Sequence, residues 1–210
     1  PTSPDPPGLS VLKIPIVGIS VASPSISLSA SVAACAMCCR FLLCYDDSLM
    51  SALPFHPIVA EWFTTRFASA TNVQMQAWPA IQSGRDVLIS APTGSGKTLA
   101  AFLSCIDTLF QQAVRCELRD ETQVLYVSPL KALSNDVQKN LQQPLSEIGQ
   151  AALASGLLLP ELRVVVRTGD TPMTERQQML RRPPHILITT PESLFILLTA
   201  EKSRAMLKTV

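Results

Sequence analysis

Charge and aromatic side chains are scarce in this chain of 210 residues: charged residues make up 16% and Phe, Trp and Tyr together 5%. Histidine occurs only 2 times. The charge deficit is local. Residues 1–50 carry Asp5, Lys13, Arg40, Asp46 and Asp47, and nothing charged falls between Ile14 and Cys39. A net charge of +1 excludes a global basic field, so affinity for a polyanion has to come from local sites. A disulfide framework is also missing. Cys35, Cys38, Cys39 and Cys44 crowd together, Cys105 and Cys116 lie far off, and Cys35-x-x-Cys38 has no second Cys or His pair at metal-ligand spacing. These read as reduced, incidental thiols.

The uncharged stretch is long enough to cross a bilayer. Its six serines, Pro15 and Pro24 dilute it, which argues against a membrane helix. A signal peptide fits poorly, with one Lys ahead of it and cytoplasmic-looking text behind. Residues 1–50 are therefore read as an unassigned Pro/Ser/Ala/Cys-rich extension, possible upstream text before a natural start at Met50.

From Pro54 the pattern changes. Helices are expected over Pro57–Phe67 and Val73–Gln82. Short apolar strands follow at Val87–Ser90, Val124–Val127, Leu162–Val166 and Ile186–Thr189. Helices at Leu99–Val114, Leu130–Leu141, Leu145–Ala154, Met173–Leu180 and Ser193–Leu198 separate them. Strands of continuous β-branched text alternating with helices indicate a parallel sheet covered on both faces. Each strand runs into a hydroxyl-and-proline turn: Ala91-Pro92-Thr93, Ser128-Pro129, Thr171-Pro172 and Thr190-Pro191. Hydroxyl N-caps with Pro at the first helical position start helices. In a parallel sheet the four turns would share the carboxyl edge, where α/β folds bind ligands.

Ala91-Pro92-Thr93-Gly94-Ser95-Gly96-Lys97-Thr98 carries the chemistry. It sits between a strand and a helix, the context a phosphate-binding loop requires. Gly94 and Gly96 allow backbone N–H groups to converge on phosphate oxygens. Lys97 can reach the β- and γ-phosphates of ATP, and the Thr98 hydroxyl can ligand Mg²⁺. Hydrolysis also needs an acid after a downstream apolar strand, to hold the metal and position water. None stands directly at the end of an apolar strand here. Arg119-Asp120-Glu121 precedes its strand and reads as a solvated turn, and Asp46-Asp47 lies upstream of the loop. Leu207–Val210 resembles the opening of another strand, and the acids are expected beyond it.

Gln74-Met-Gln-Ala-Trp-Pro79, with Gly84 and Asp86, resembles the Q-motif of superfamily 2 helicases. The resemblance places Gln74 on the adenine edge, with Phe55, Trp62 or Phe63 as the accompanying aromatic. Ser128-Pro129-Leu-Lys131 resembles motif Ia, Arg167-Thr168-Gly169-Asp170-Thr-Pro172 a strand-contacting loop, and Thr189-Thr190-Pro191-Glu192 motif Ib. The wording of 167–194 is similar to the large helicase-related (Lhr) family. The resemblance covers about 55–210. It implies a three-layer α/β fold, a RecA-like P-loop NTPase domain with a mainly parallel sheet, truncated at the C-terminus. It implies a partial ATP-binding domain over 51–210, cytoplasmic, working with a second RecA-like domain absent from this chain. The parent would be an ATP-dependent helicase, acting 3′ to 5′ on single strands, DNA before RNA. Pro129, Lys131, Thr168, Gly169, Asp170, Thr189, Thr190, Pro191 and Glu192 would form the nucleic-acid track. Two alternatives stay open: another P-loop class such as a transport ATPase or kinase, and a non-catalytic nucleotide-binding module.

Overall fold

The computed structural model describes residues 12–14, 53–92, 94–128 and 131–210. The amphipathic text folds as its periodicity predicts. In order the elements are β1 (Leu12–Ile14), α1 (Pro57–Arg66), α2 (Asn72–Gln82), β2 (Val87–Ile89) and α3 (Lys97–Val114). Then come β3 (Val124–Val127), α4 (Lys131–Ala154), β4 (Val164–Arg167), α5 (Met173–Arg181), β5 (Ile186–Thr189), α6 (Pro191–Thr199) and α7 (Glu201–Met206).

β3, β5 and β4 form a parallel three-stranded sheet in that order, with Val124 and Val164 both in register with Ile186. β5 is central, and all four of its residues are buried. A strand covered on both faces needs the continuous apolar text Ile-Leu-Ile that it has. β2 pairs instead with β1, antiparallel, with Lys13 opposite Leu88. Three of the four expected turns therefore share one carboxyl edge by strand pairing, and the loop after β2 belongs to a separate two-stranded sheet. The extension supplies a strand that the composition of 1–50 gave no reason to expect.

α3 is the spine of the larger core. Ala100, Leu103, Ile106, Leu109 and Phe110 are buried along it. Trp78 of α2 packs against it and donates its indole N–H to Ala100 O at 3.2 Å. Phe55 and Phe63 meet the Trp78 ring edge-on, at 4.9 and 5.4 Å between centroids. Such edge-to-face rings bury large apolar area with favourable quadrupole geometry.

Three local expectations differ from the structure. α4 runs unbroken through Pro144, where two helices were expected. Pro144 costs one backbone hydrogen bond. Burial of Val137, Leu141, Ile148 and Ala152 along one face of the helix offsets that loss. β4 begins at Val164, two residues later than the apolar run, because the register with β5 starts there. Leu207–Thr209 form a turn after α7 and not a strand. Thr209 Oγ1 donates to Thr122 O at 2.6 Å, tying that turn beside the start of β3.

Candidate nucleotide loop and carboxyl edge

The loop after β2 is shaped by its glycines. Gly94 and Gly96 have φ of +79° and +84°, a region closed to most side chains. Gly96 is the N-cap of α3, so the loop delivers directly into the positive end of an 18-residue helix. Lys97 is buried, and its ammonium donates to Ala91 O and, at 2.7 Å, to Pro92 O. Among the described residues, Ser95 Oγ is buried with no hydrogen-bond partner. Thr98 is exposed at the first turn of α3. Thr93 lies outside the described residues. A concave loop with a lysine, an orphaned hydroxyl and a helix N-terminus is suited to a polyphosphate.

α2 is welded to this loop. Its N-cap Thr71 and Gln74 form a capping box: Gln74 N donates to Thr71 Oγ1 at 3.3 Å and Thr71 N to Gln74 Oε1 at 2.9 Å. Thr71 Oγ1 also donates to Ser95 O at 2.9 Å, and Gln74 Nε2 reaches Gly96 O at 3.5 Å. Gln74 is 3% exposed. The residue expected on a base edge thus sits between a helix start and the loop backbone. To contact a base while keeping the cap, its Nε2 has to leave Gly96 O, the longer of its contacts.

A cleft of about 540 Å³ opens from Gly94, Gly96, Lys97 and Thr98 toward Arg66 and Phe67 and, on α4, Asn140 and Gln143. Of the three aromatics put forward from sequence, Phe63 is in the core and Phe55 packs on Trp78. Trp62 lines the cleft and donates its indole N–H to Glu147 Oε2 at 2.6 Å. That bond, helped by Arg66 at 3.6 Å, holds the Glu147 carboxyl below its ordinary range. Phe67, expected from sequence only as the last residue of the first helix, is instead its C-cap; it is 37% exposed, lines the cleft and is backed by Phe63 at 4.9 Å. Its position just before the Thr71 cap was the available signal.

The carboxyl edge of the three-stranded sheet gathers most of the other expected residues. Thr189 and Thr190 are buried. Thr189 Oγ1 donates to Arg167 O at 2.7 Å, joining the ends of β5 and β4. Thr190 Oγ1 caps α6 by accepting from Ser193 N at 3.4 Å, with Pro191 at the first position. Pro191, Glu192, Gly169 and Asp170 are exposed. Glu192 stands in the first turn of α6, where its charge already answers the helix dipole. Thr168 is buried, its N–H donating to Thr171 Oγ1 at 2.9 Å. Thr171 is therefore used inside the β4–α5 loop, and α5 has Pro172 as its N-cap with no side-chain bond. Lys131 opens α4, and its side chain lies outside the described residues, as does Pro129.

The opposite end of the sheet holds no part of this track. Asp120, expected in a solvated turn, is exposed and pairs with Arg163 at 2.7 Å. His185 is buried there. Its Nδ1 accepts from Arg163 N at 3.0 Å, and burial with the Arg163 charge lowers its pKa. Cys35, Cys38, Cys39, Cys44, Asp46 and Asp47 lie outside the described residues.

The glycine loop between strand and helix, with an α/β fold whose three-stranded sheet is parallel, makes this a RecA-like P-loop domain. The chain belongs to the DEAD/DEAH box helicase family, which matches it over residues 71–210. Its sequence is similar to those of Lhr helicases. It is 54% identical over 155 residues to the ATP-dependent helicase Lhr-Core of Methanothermobacter thermautotrophicus, covering 74% of this chain and 18% of that protein. It is also 54% identical over 146 residues to the Lhr helicase/probable uracil glycosylase of Mycolicibacterium smegmatis, 70% of this chain and 10% of the relative. The chain thus spans less than a fifth of the length of these relatives. Among solved structures, the Mycobacterium smegmatis helicase Lhr bound to ssDNA and AMP-PNP superposes with a TM-score of 0.68 at 52% identity, over 74% of this chain and 19% of that one. The DEAD-box helicase Mss116, at 20% identity and a TM-score of 0.61, shares the fold. Among the described residues no helix is long and apolar enough to cross a membrane.

Proposed function

We propose that residues 55–210 form the ATP-binding part of an ATP-dependent DNA helicase that moves 3′ to 5′ along one strand. The observation that carries this is the loop: Gly94 and Gly96 in left-handed conformation, Lys97 folded onto the loop carbonyls, and Ser95 Oγ without a partner. Ala91 to Thr98 would cradle the phosphates of ATP. Lys97 would exchange its carbonyl partners for β- and γ-oxygens, and Thr98 would supply a hydroxyl to Mg²⁺, whose charge would neutralise those oxygens. The adjoining cleft fits a nucleoside between Phe67 and the loop, with Gln74 Nε2 turned to the base edge. On the same reading Pro129, Lys131, Thr168, Gly169, Asp170, Thr189, Thr190, Pro191 and Glu192 follow a single strand, DNA before RNA, as the ssDNA-bound Lhr relative suggests.

This chain alone binds ATP and single strands weakly and does not turn ATP over. No acid stands at the end of a strand downstream of the loop: β3, β4 and β5 end in Val127, Arg167 and Thr189. A second RecA-like domain would complete the groove and supply arginines to the transition state, where one such group is worth about 10³–10⁵ in rate. The test is calorimetry with ATP and Mg²⁺ on parent and Lys97→Ala. Loss of a charge-assisted phosphate contact should weaken binding by about 1.5–3 kcal/mol. Equal affinity would remove Lys97 from the phosphate site.

A further inference from the structure

The β4–α5 loop, residues 168–172, is held by two arginines that the sequence motifs did not assign. Arg176, in the first turn of α5, reaches back and donates from Nε to Thr171 O and from its NH2 group to Gly169 O, both at 2.7 Å. Arg167, at the end of β4 and 5% exposed, donates to Thr168 O. Burial, and after it the Arg176 charge, lower the Arg167 pKa. The remaining carbonyls of the segment are also taken: Thr171 Oγ1 bonds Val166 O at 3.5 Å and Thr189 Oγ1 bonds Arg167 O at 2.7 Å. Carbonyl oxygens carry partial negative charge and repel phosphates. The carbonyls of residues 166–169 and of Thr171 are each turned onto a donor belonging to the protein.

We propose that Arg176 is a positioning residue for the nucleic-acid track. Its planar fork turns Gly169 O and Thr171 O away from the strand and fixes the exposed Gly169–Asp170 tip, while Arg167 does the same for Thr168 O from beneath. This deepens the single-strand reading above and rests on it. The planar fork matters because a lysine has one flexible ammonium and cannot hold two carbonyls in fixed geometry. Arg176 acts through the loop and is not itself a phosphate ligand.

The experiment compares parent, Arg176→Lys and Arg176→Ala in two readouts. The first is fluorescence anisotropy with an oligothymidylate over a salt series. The clamp predicts that Arg176→Ala weakens binding about tenfold, the effect of losing charge-assisted bonds, at every salt concentration. The slope of log affinity against log salt should match the parent, because no phosphate-neutralising cation is lost. Arg176→Lys should recover only part of the affinity. A slope shallower by about 0.7 would make Arg176 a direct phosphate contact and overturn the proposal. Full recovery by lysine, or parent-like binding by the alanine variant, would overturn it too. The second readout needs no strand: amide hydrogen exchange at Asp170 and Thr171, expected to be about tenfold faster in Arg176→Ala. If the parent fails to bind the oligonucleotide, the single-strand reading fails. Unchanged exchange would refute the clamp separately. Parent-like ATP affinity of the variants, measured alongside, shows that the domain is intact.

Discussion

The contact between Gln74 and Gly96 can be tested by adding one methyl group at each of two glycines. Both Gly94 and Gly96 are left-handed, so alanine at either costs about 1–2 kcal/mol in backbone conformation. They differ in what the methyl meets. At Gly94 nothing lies within 4 Å, whereas at Gly96 the new carbon would stand 2.6 Å from Gln74 Nε2 and 3.1 Å from its carboxamide carbon. Gln74 then has to move its carboxamide, which disturbs the bond its Oε1 accepts from Thr71 N, worth about 0.5–1.5 kcal/mol. Gly94→Ala should therefore cost about 1–2 kcal/mol and Gly96→Ala about 1.5–3.5 kcal/mol. Urea unfolding of both variants measures the difference. A Gln74→Ala background supplies the cycle: there Gly96→Ala should cost no more than Gly94→Ala, since the obstructing amide is gone. Equal destabilisation of the two single variants, or a Gly96→Ala cost unchanged by removing Gln74, would refute the wedge.

Two other outcomes follow from buried titratable groups. His56 and His185 have pKa values lowered by burial, so their contribution to stability is complete above the ordinary histidine value and is lost as pH falls through it toward the folded value. Asp107 acts in the opposite sense: burial raises its pKa, so its protonation favours the fold as pH falls through that raised value. The midpoint of urea unfolding should fall from pH 7 toward pH 4, more steeply in Asp107→Asn; a rising midpoint in the parent would contradict the histidine assignment. Cys105, its thiol pushed up to about 11 by burial, should alkylate far more slowly than exposed Cys116 at neutral pH. Peptide mapping by mass spectrometry reads this, and equal rates would argue against the raised pKa of half-buried Cys105.

The periodic text was legible because burial alone decides it. The Ile186–Thr189 and Val124–Val127 strands have their expected limits. The glycine loop was legible from spacing, since only glycine fits two left-handed positions so close to a lysine. What could not be read was which hydroxyl does which job. Thr171, Thr189 and Thr190 stand in near-identical hydroxyl–proline text. One bridges a loop, one joins two strand ends and one caps a helix, and the choice depends on partners far along the chain. Gln74 is a different case. Thr71-x-x-Gln74 is a capping box in plain sequence, and the family resemblance drew attention to the base edge instead. Arg176 and Asp107 had no local signal. Arg176 acts on the loop before its own helix, and Asp107 receives the His56 N–H at 2.7 Å across 51 residues.

The 2 tryptophans divide the molecule optically. Trp78 is 1% exposed in the core, with its indole N–H on a backbone carbonyl, so its emission reports cooperative unfolding and little else. Trp62 lines the cleft beside Lys97 and Thr98 and gives its indole N–H to a carboxylate. Excited-state indole is sensitive to such a charge. A molecule entering the cleft and disturbing the Trp62–Glu147 bond would therefore shift part of the fluorescence while the Trp78 component stayed fixed. The protein carries its own two-channel probe, one channel for the cleft and one for the fold, without any added label.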